Sequence, residues 1–215
     1  LSNLSSIIEL LAKPARLRSI LSFNKKGYLK EIGWFSALEG GSPVDRHGNP
    51  IPWVTYSFID FIKERLNKQH TVFEFGSGNS TFFYAKYAGK VVSVEHDEQW
   101  YNKIVNAKPE NSDMILTELK TDGDYCRVPL TLNTKFDIVI VDGRDRVNCC
   151  KQAIEALTPA GVIVLDDSER EFYVDAVAFL KDKGFKQLSF SGISPGLFYN
   201  KATSVFYRAD NCLSI

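Results

Sequence analysis

Val72-Phe73-Glu74-Phe75-Gly76-Ser77-Gly78-Asn79-Ser80-Thr81 decides how this chain folds. Val72–Phe75 is a short apolar run that stops at a glycine turn, and Thr81–Tyr87 then reads as a helix. Gly76 and Gly78 let the backbone turn sharply and approach a ligand closely. A helix starting near Asn79 presents free N–H groups to anything negative or polar. A strand, a glycine turn and a helix N-terminus in direct succession open an α/β unit, whose ligand lies at the carboxyl edge of the sheet.

The alternation continues toward the C-terminus. Val91–Glu95 reads as the second strand, Glu98 to Ala107 as a helix, Met114–Leu119 as the third strand and Phe136–Val141 as the fourth. Val147–Leu157 is helical, Gly161–Leu165 is the fifth strand, and Arg170–Lys183 is a helix closed by Gly184. Strands that are apolar throughout, joined by helices, imply a parallel sheet covered on both faces. Lys186–Ser191 and Ser204–Arg208 are joined only by the Gly192–Lys201 loop, so they are antiparallel. The expected architecture is a doubly wound, Rossmann-like α/β sheet of seven strands, mostly parallel, with an antiparallel last strand.

Toward the N-terminus the pattern changes. Leu4–Leu11, Ala15–Phe23 and Tyr28–Leu38 read as helices, Gly40–Pro52 as turns, and Tyr56–Leu66 as a helix leading into the first strand. Residues 1–69 are expected to form a helical cap, not an independent domain, on a ligand-binding domain over 70–215. Arg16, Arg18, Lys25 and Lys26 read as a solvated basic face in preference to a membrane or partner contact.

Bulk properties narrow the function. The 215 residues carry 26 Lys plus Arg against 26 Asp plus Glu, so no long-range field favours nucleic acid. No apolar stretch is long enough for a transmembrane helix. The start lacks the order of a secretory signal, and Leu1 in place of Met suggests a trimmed beginning. Cys126, Cys149, Cys150 and Cys212 show no metal spacing and read as reduced thiols of a cytoplasmic protein.

Two acidic residues sharpen the glycine loop. Glu95 closes the second strand, where a carboxylate can accept both hydroxyls of a ribose. Glu74 precedes the first glycine where dinucleotide sites usually have glycine, and their third glycine is missing. On these residues Val72 to Arg208 resembles the class I S-adenosylmethionine (SAM)-dependent methyltransferases. The stretches Gly27–Trp34 and Pro43–Trp53 are more diffusely similar to uncharacterised bacterial methyltransferase-like proteins. The resemblance implies SAM as cofactor. It implies that Glu74, with Gly76, Ser77, Gly78, Asn79 and Ser80, holds the methionine part, that Glu95 takes the ribose, and that His96 and Asp97, which follow it, border the adenine. Thr121–Tyr125 is where the family contacts the base, with Asp122 or Asp124 as bonding groups and Tyr125 stacking; an ordinary Asp-Gly turn explains the segment equally well.

Strand four ends in Asp142-Gly143-Arg144-Asp145-Arg146 and strand five in Asp166-Asp167-Ser168-Glu169-Arg170. Clustered carboxylates need a cation. Asp142, Asp166 and Asp167 match the positions where catechol-type O-methyltransferases place Mg²⁺, which would activate a hydroxyl. The lysine those enzymes use as base is not matched. Alternatively Arg144, Arg146 and Arg170 neutralise the aspartates, with Asp142 as general base and Arg144 beside it. Mg²⁺ is the less favoured case, because arginines weaken cation binding. Strand-end aspartates that merely cap helices are a third reading.

Trp34, Phe35, Trp53, Thr55 and Tyr56 of the cap, with Ser194, Pro195, Phe198 and Tyr199, are candidates for holding an acceptor, although each taken singly is better explained by packing of the cap on the sheet. The reading that follows is SAM-dependent methyl transfer to a hydroxyl of a small molecule or glycan, with homodimerisation open. Asn/Asp-Pro-Pro-Tyr, the N-methylating motif, is absent after strand four. The rivals are a non-catalytic SAM-binding or assembly protein, an NAD-dependent oxidoreductase using the same loop, and an aminopropyl transferase.

Overall fold

The computed structural model describes residues 13–23 and 25–215; the helix expected over Leu4–Leu11 lies outside them. The sheet contains β1 (Thr71–Phe75), β2 (Lys90–Glu95), β3 (Ser112–Leu116), β4 (Phe136–Val141), β5 (Leu157–Asp166), β6 (Lys186–Gly192) and β7 (Lys201–Tyr207). Their order is β3-β2-β1-β4-β5-β7-β6, parallel from β3 to β5, with β7 antiparallel to both β5 and β6. The seven strands and the antiparallel tail are as the sequence reading expects.

The central strands are buried on both faces because successive side chains enter different cores. Phe73, Val139 and Ile163 face one core and Val72, Ile138 and Val162 the other. The first core is completed by α7 (Asp124–Thr131), α8 (Arg146–Ala156) and α9 (Val174–Asp182). The second is completed by α4 (Tyr56–Arg65) and α5 (Asn79–Tyr87), together with Trp34, Ile51 and Val54. α6 (Glu98–Val105) follows β2. At about 25 cal/mol per Å² of apolar surface, each buried cap aromatic contributes on the order of 2 kcal/mol. The cap therefore shares the sheet's core.

Several boundaries differ from expectation. The helix expected over Tyr28–Leu38 is two, α2 (Tyr28–Glu31) and α3 (Trp34–Gly40), following α1 (Pro14–Ser22). The break is Gly33, with φ +83°, where a Cβ would lie 2.3 Å from the Arg46 nitrogen. α7 replaces what reads as a loop. Pro129 inside it, which lacks the N–H of a helical ladder, masks the apolar side that Tyr125, Cys126 and Val128 bury. β3 stops at Leu116, short of Leu119, and β5 begins at Leu157 instead of Gly161. The helix expected from Arg170 begins as a 3-10 turn, Glu171–Tyr173.

Candidate active site

The carboxyl ends of β1, β2 and β4 surround a pocket of about 330 Å³. Its lining includes Glu74, Gly76, Ser77, Ser80, Glu95, His96, Asp142 and Arg144. Of the expected cofactor residues, only Gly78 and Asn79 lie outside this lining. Both border a smaller cavity of about 190 Å³ between the glycine loop and the cap, together with Ser42, Pro43, Trp53 and Trp100. Ser77, Ser80 and Asp142 line both spaces.

Gly76 and Gly78 have φ +99° and +150°, as a loop folding back over the strand ends requires. Thr81 fixes that loop from inside the helix. Its hydroxyl accepts from the Gly78 N–H at 3.2 Å and donates to Glu74 Oε2 at 2.7 Å. The Ser93 hydroxyl donates to the same oxygen at 2.9 Å. Burial pushes the Glu74 carboxyl up to about 7, against the opposing pull of the Ser80, Thr81 and Ser93 hydroxyls.

Glu95 is buried, and both of its oxygens accept hydrogen bonds, Oε2 only one. Ser77 Oγ donates to Oε2 at 2.8 Å, and the His96 and Asp97 backbone N–H groups donate to Oε1 at 2.8 and 3.0 Å. The carboxylate is thereby fixed at the strand end, facing the pocket. The Asn79 side chain turns away, donating to the Pro43 carbonyl at 2.7 Å and to Ser42 Oγ at 3.1 Å. What it offers a ligand is backbone.

Tyr125 is not a stacking platform. It is fully buried, its ring packed 5.8 Å from that of Phe75. Asp122 is engaged by Arg127, at 2.7 Å. Among the acceptor candidates, Thr55 is buried and bonded to Thr203 and to the Phe190 carbonyl. Trp34 is buried and donates to the Leu197 carbonyl. Trp53, whose indole donates to the Pro195 carbonyl at 2.8 Å, lines the smaller cavity. Phe198 and Tyr199 are exposed. Trp100 and Gly143 carry signals the sequence reading passes over. The Trp100 indole donates to the Ser77 carbonyl at 2.8 Å and lies against Gly78.

At the ends of β4 and β5 the aspartates are paired with Arg146 and, at Asp167, also with Arg170, whose guanidinium lies 3.0 Å from Asp167 Oδ2; of these, Arg146 reaches both strand ends. It lies 3.0 Å from Asp142 Oδ1 and 3.2 Å from Asp167 Oδ2. Arg144 is exposed at the pocket rim. Lys201, which the sequence places at the end of a loop, begins β7 and reaches Asp166 Oδ2 at 2.6 Å and Asp167 Oδ1 at 3.0 Å. Thr203 donates to Asp166 Oδ1 at 2.7 Å. Burial and the neighbouring Asp166 hold the Asp142 carboxyl well above the usual range, although Arg146 and Lys201 oppose them. Asp167 has φ +55°, a left-handed conformation that short polar side chains tolerate.

These contacts test the groups that the resemblance implies. SAM fits: the two carboxylates, the glycine cradle and the exposed loop backbone converge on one pocket. A divalent metal does not. The oxygens it would need on Asp166 and Asp167 already face Lys201, Thr203, Arg146 or Arg170.

Solved structures agree on the architecture. Cofactor-bound Rv0187 from MTB superposes with a TM-score of 0.57 at 18% identity, covering 91% of this chain and 97% of that one. SMU.1697c of Streptococcus mutans, in complex with S-adenosylhomocysteine (SAH), gives 0.51 at 15% identity, over 69% and 94%. An rRNA methylase of Streptococcus thermophilus gives 0.51 at 16%, over 69% and 92%. This chain has the class I methyltransferase fold. No family model and no curated protein matches it. At these identities the likeness is one of fold. Among the described residues no helix is long and apolar enough to cross a membrane.

Proposed function

We propose that the protein is a SAM-dependent methyltransferase acting on a hydroxyl of a small molecule or glycan. The observation that carries this reading is the shared position of Asp142, on the boundary between the glycine-loop pocket and the cavity under the cap. SAM supplies a methyl group already activated by its sulfonium. The chain's own work is therefore binding, alignment and removal of a proton.

Glu95, fixed by Ser77 and the His96 and Asp97 N–H groups, is placed to accept ribose hydroxyls. Glu74 and the backbone of Gly76 to Ser80 hold the amino-acid end, and His96 borders the base. Asp142, oriented by Arg146, accepts the proton of an acceptor hydroxyl entering from the cap side, and Arg144 at the rim steadies that acceptor. Trp53 and Trp100 give the cavity two aromatic walls, which suit a sugar or another ring. The balanced charge argues for such an acceptor over nucleic acid.

The test is calorimetric titration of cofactor-stripped protein with SAM, SAH and NAD, repeated for Glu95→Ala, followed by transfer of labelled methyl to glycans, phenols and rRNA fragments. Binding of SAM and SAH, weakened by at least tenfold in the variant, supports the site. Preference for NAD removes the reading. Tight SAH binding without transfer to any acceptor would favour a non-catalytic binding protein, and transfer to rRNA would replace the acceptor assignment.

A further inference from the structure

We propose that the Lys201 ammonium is a built-in cation, standing where a divalent metal would otherwise sit among the strand-end aspartates. Lys201 is buried, with 4% of its surface exposed. Its Nζ lies 2.6 Å from Asp166 Oδ2, 3.0 Å from Asp167 Oδ1 and 3.1 Å from the Trp53 carbonyl oxygen. Two carboxylates and a backbone carbonyl are the donor set that hard cations such as Mg²⁺ and Ca²⁺ select. Here the same set surrounds an ammonium, which donates to Asp166 Oδ2 and the Trp53 carbonyl and faces Asp167 Oδ1 as the third member. The Asp167 contact is an ion pair without hydrogen-bond alignment.

The surrounding charges complete the arrangement. Thr203 donates to the other oxygen of Asp166, and Arg146 and Arg170 lie 3.2 and 3.0 Å from the other oxygen of Asp167. Both oxygens of each carboxylate thus face a cation or a hydroxyl. A divalent ion could enter only by expelling a buried ammonium, leaving that charge without its partners. A protein that carries its own cation needs none from solution.

Lys201 also reaches the cap. Its bond to the Trp53 carbonyl ties the segment that lines the smaller cavity to the sheet edge. Trp53 is bonded at its other end to Pro195, so the ammonium and the late loop together hold this wall. Lys201 is therefore a positioning residue. That consequence for catalysis rests on the proposed methyltransferase reading, but the cation's place does not.

The experiment separates the two. Wild-type protein is titrated with Mn²⁺, followed by the electron paramagnetic resonance signal of the free ion, and with SAH by calorimetry. Lys201→Ala, alone and combined with Asp166→Asn, is titrated with Mn²⁺ and melted with and without it. Wild type should leave Mn²⁺ free up to millimolar concentration, with its melting temperature unmoved. Lys201→Ala should melt about 10 °C lower, take up one Mn²⁺ and regain part of the loss, and Asp166→Asn should abolish that uptake. Stoichiometric Mn²⁺ binding by wild type that Asp166→Asn removes overturns the proposal. So does a folded Lys201→Ala that takes up none. If Lys201→Ala does not fold, the wild-type titration decides alone. Failure of wild type to bind SAH would remove the methyltransferase reading while leaving the built-in cation standing.

Discussion

Asn79, the first residue of α5, donates its side-chain amide to the Pro43 carbonyl at 2.7 Å. With its bond to Ser42 Oγ at 3.1 Å, this amide joins the helix that follows the glycine loop to the segment of the cap facing it. Replacing the amide by a methyl removes the bonds to Ser42 and Pro43, leaves the Pro43 carbonyl with the Ile51 N–H alone and costs about 1 kcal/mol. Asn79→Ala should lower stability by that amount in urea titrations. If the cap helps to hold the loop, it should also weaken SAH binding several-fold. Unchanged affinity with reduced stability would mean that the amide serves the cap alone.

Glu74 makes stability depend on pH. Its folded value of about 7 lies above the ordinary 4.5, because burial penalises the charge. The folded state holds the proton more tightly than the unfolded one. The favourable contribution is therefore full below about 4.5 and is lost as pH rises through 7. The size is on the order of 3 kcal/mol, at 1.36 kcal/mol per unit. Glu74→Gln should remove this slope and melt higher than wild type at pH 8, as read by melts across pH 5 to 8. A parallel slope in the variant would assign the dependence to another group.

Gly143 allows the ends of β1 and β4 to meet. A Cβ there would lie 2.2 Å from the Tyr125 hydroxyl and 2.9 Å from the Phe75 backbone. Overpacking of this kind costs roughly 1–3 kcal/mol. Gly143→Ala should melt several degrees lower, and adding Tyr125→Phe should restore part of the loss by removing the hydroxyl. The Phe75 backbone cannot withdraw, so recovery should be incomplete in the same melts.

The succession of strands and helices is legible in the sequence because its signals are local: an apolar run, a turn, then a helix. Glu74, Gly76 and Glu95 are legible for the same reason, since each sits at a strand end whose position the topology fixes. The charge partners are not. Arg144 and Arg146 are equivalent in sequence, but only the second reaches the aspartates, because it is the first residue of α8 and its side chain turns back over the β4 and β5 ends. Lys201 comes from a strand that pairs with β5 from the far side, so no spacing announces it. α7 is hidden by Pro129, and Tyr125 reads as a loop aromatic until that helix carries it into the core.

The cysteines should be unreactive in the native protein. Burial pushes Cys126 up to about 11 and Cys150 and Cys212 to about 12, and raises Cys149 further. Thiolate is the reactive species. Labelling with a colourimetric disulfide at pH 8 should be at least a hundredfold slower in native protein than in urea, with Cys212, the least buried, leading. Fast native labelling of Cys149 or Cys150 would show that the α8 packing opens readily.

Trp100 offers a direct optical probe of the site. Its indole donates to the Ser77 carbonyl, and its ring lies 3.4 Å from where a Cβ on Gly78 would stand. It borders the smaller cavity together with Trp53, while Trp34 is buried within the cap. A ligand settling on the glycine loop alters the surroundings of Trp100 before those of Trp34. SAH should therefore change tryptophan emission, and Trp100→Phe should remove most of the change. Because the Ser77 carbonyl also loses its donor, and Ser77 in turn orients Glu95, the variant should bind SAH several-fold more weakly by calorimetry. An emission change that persists in Trp100→Phe and vanishes in Trp53→Phe would place the ligand against the cap wall instead.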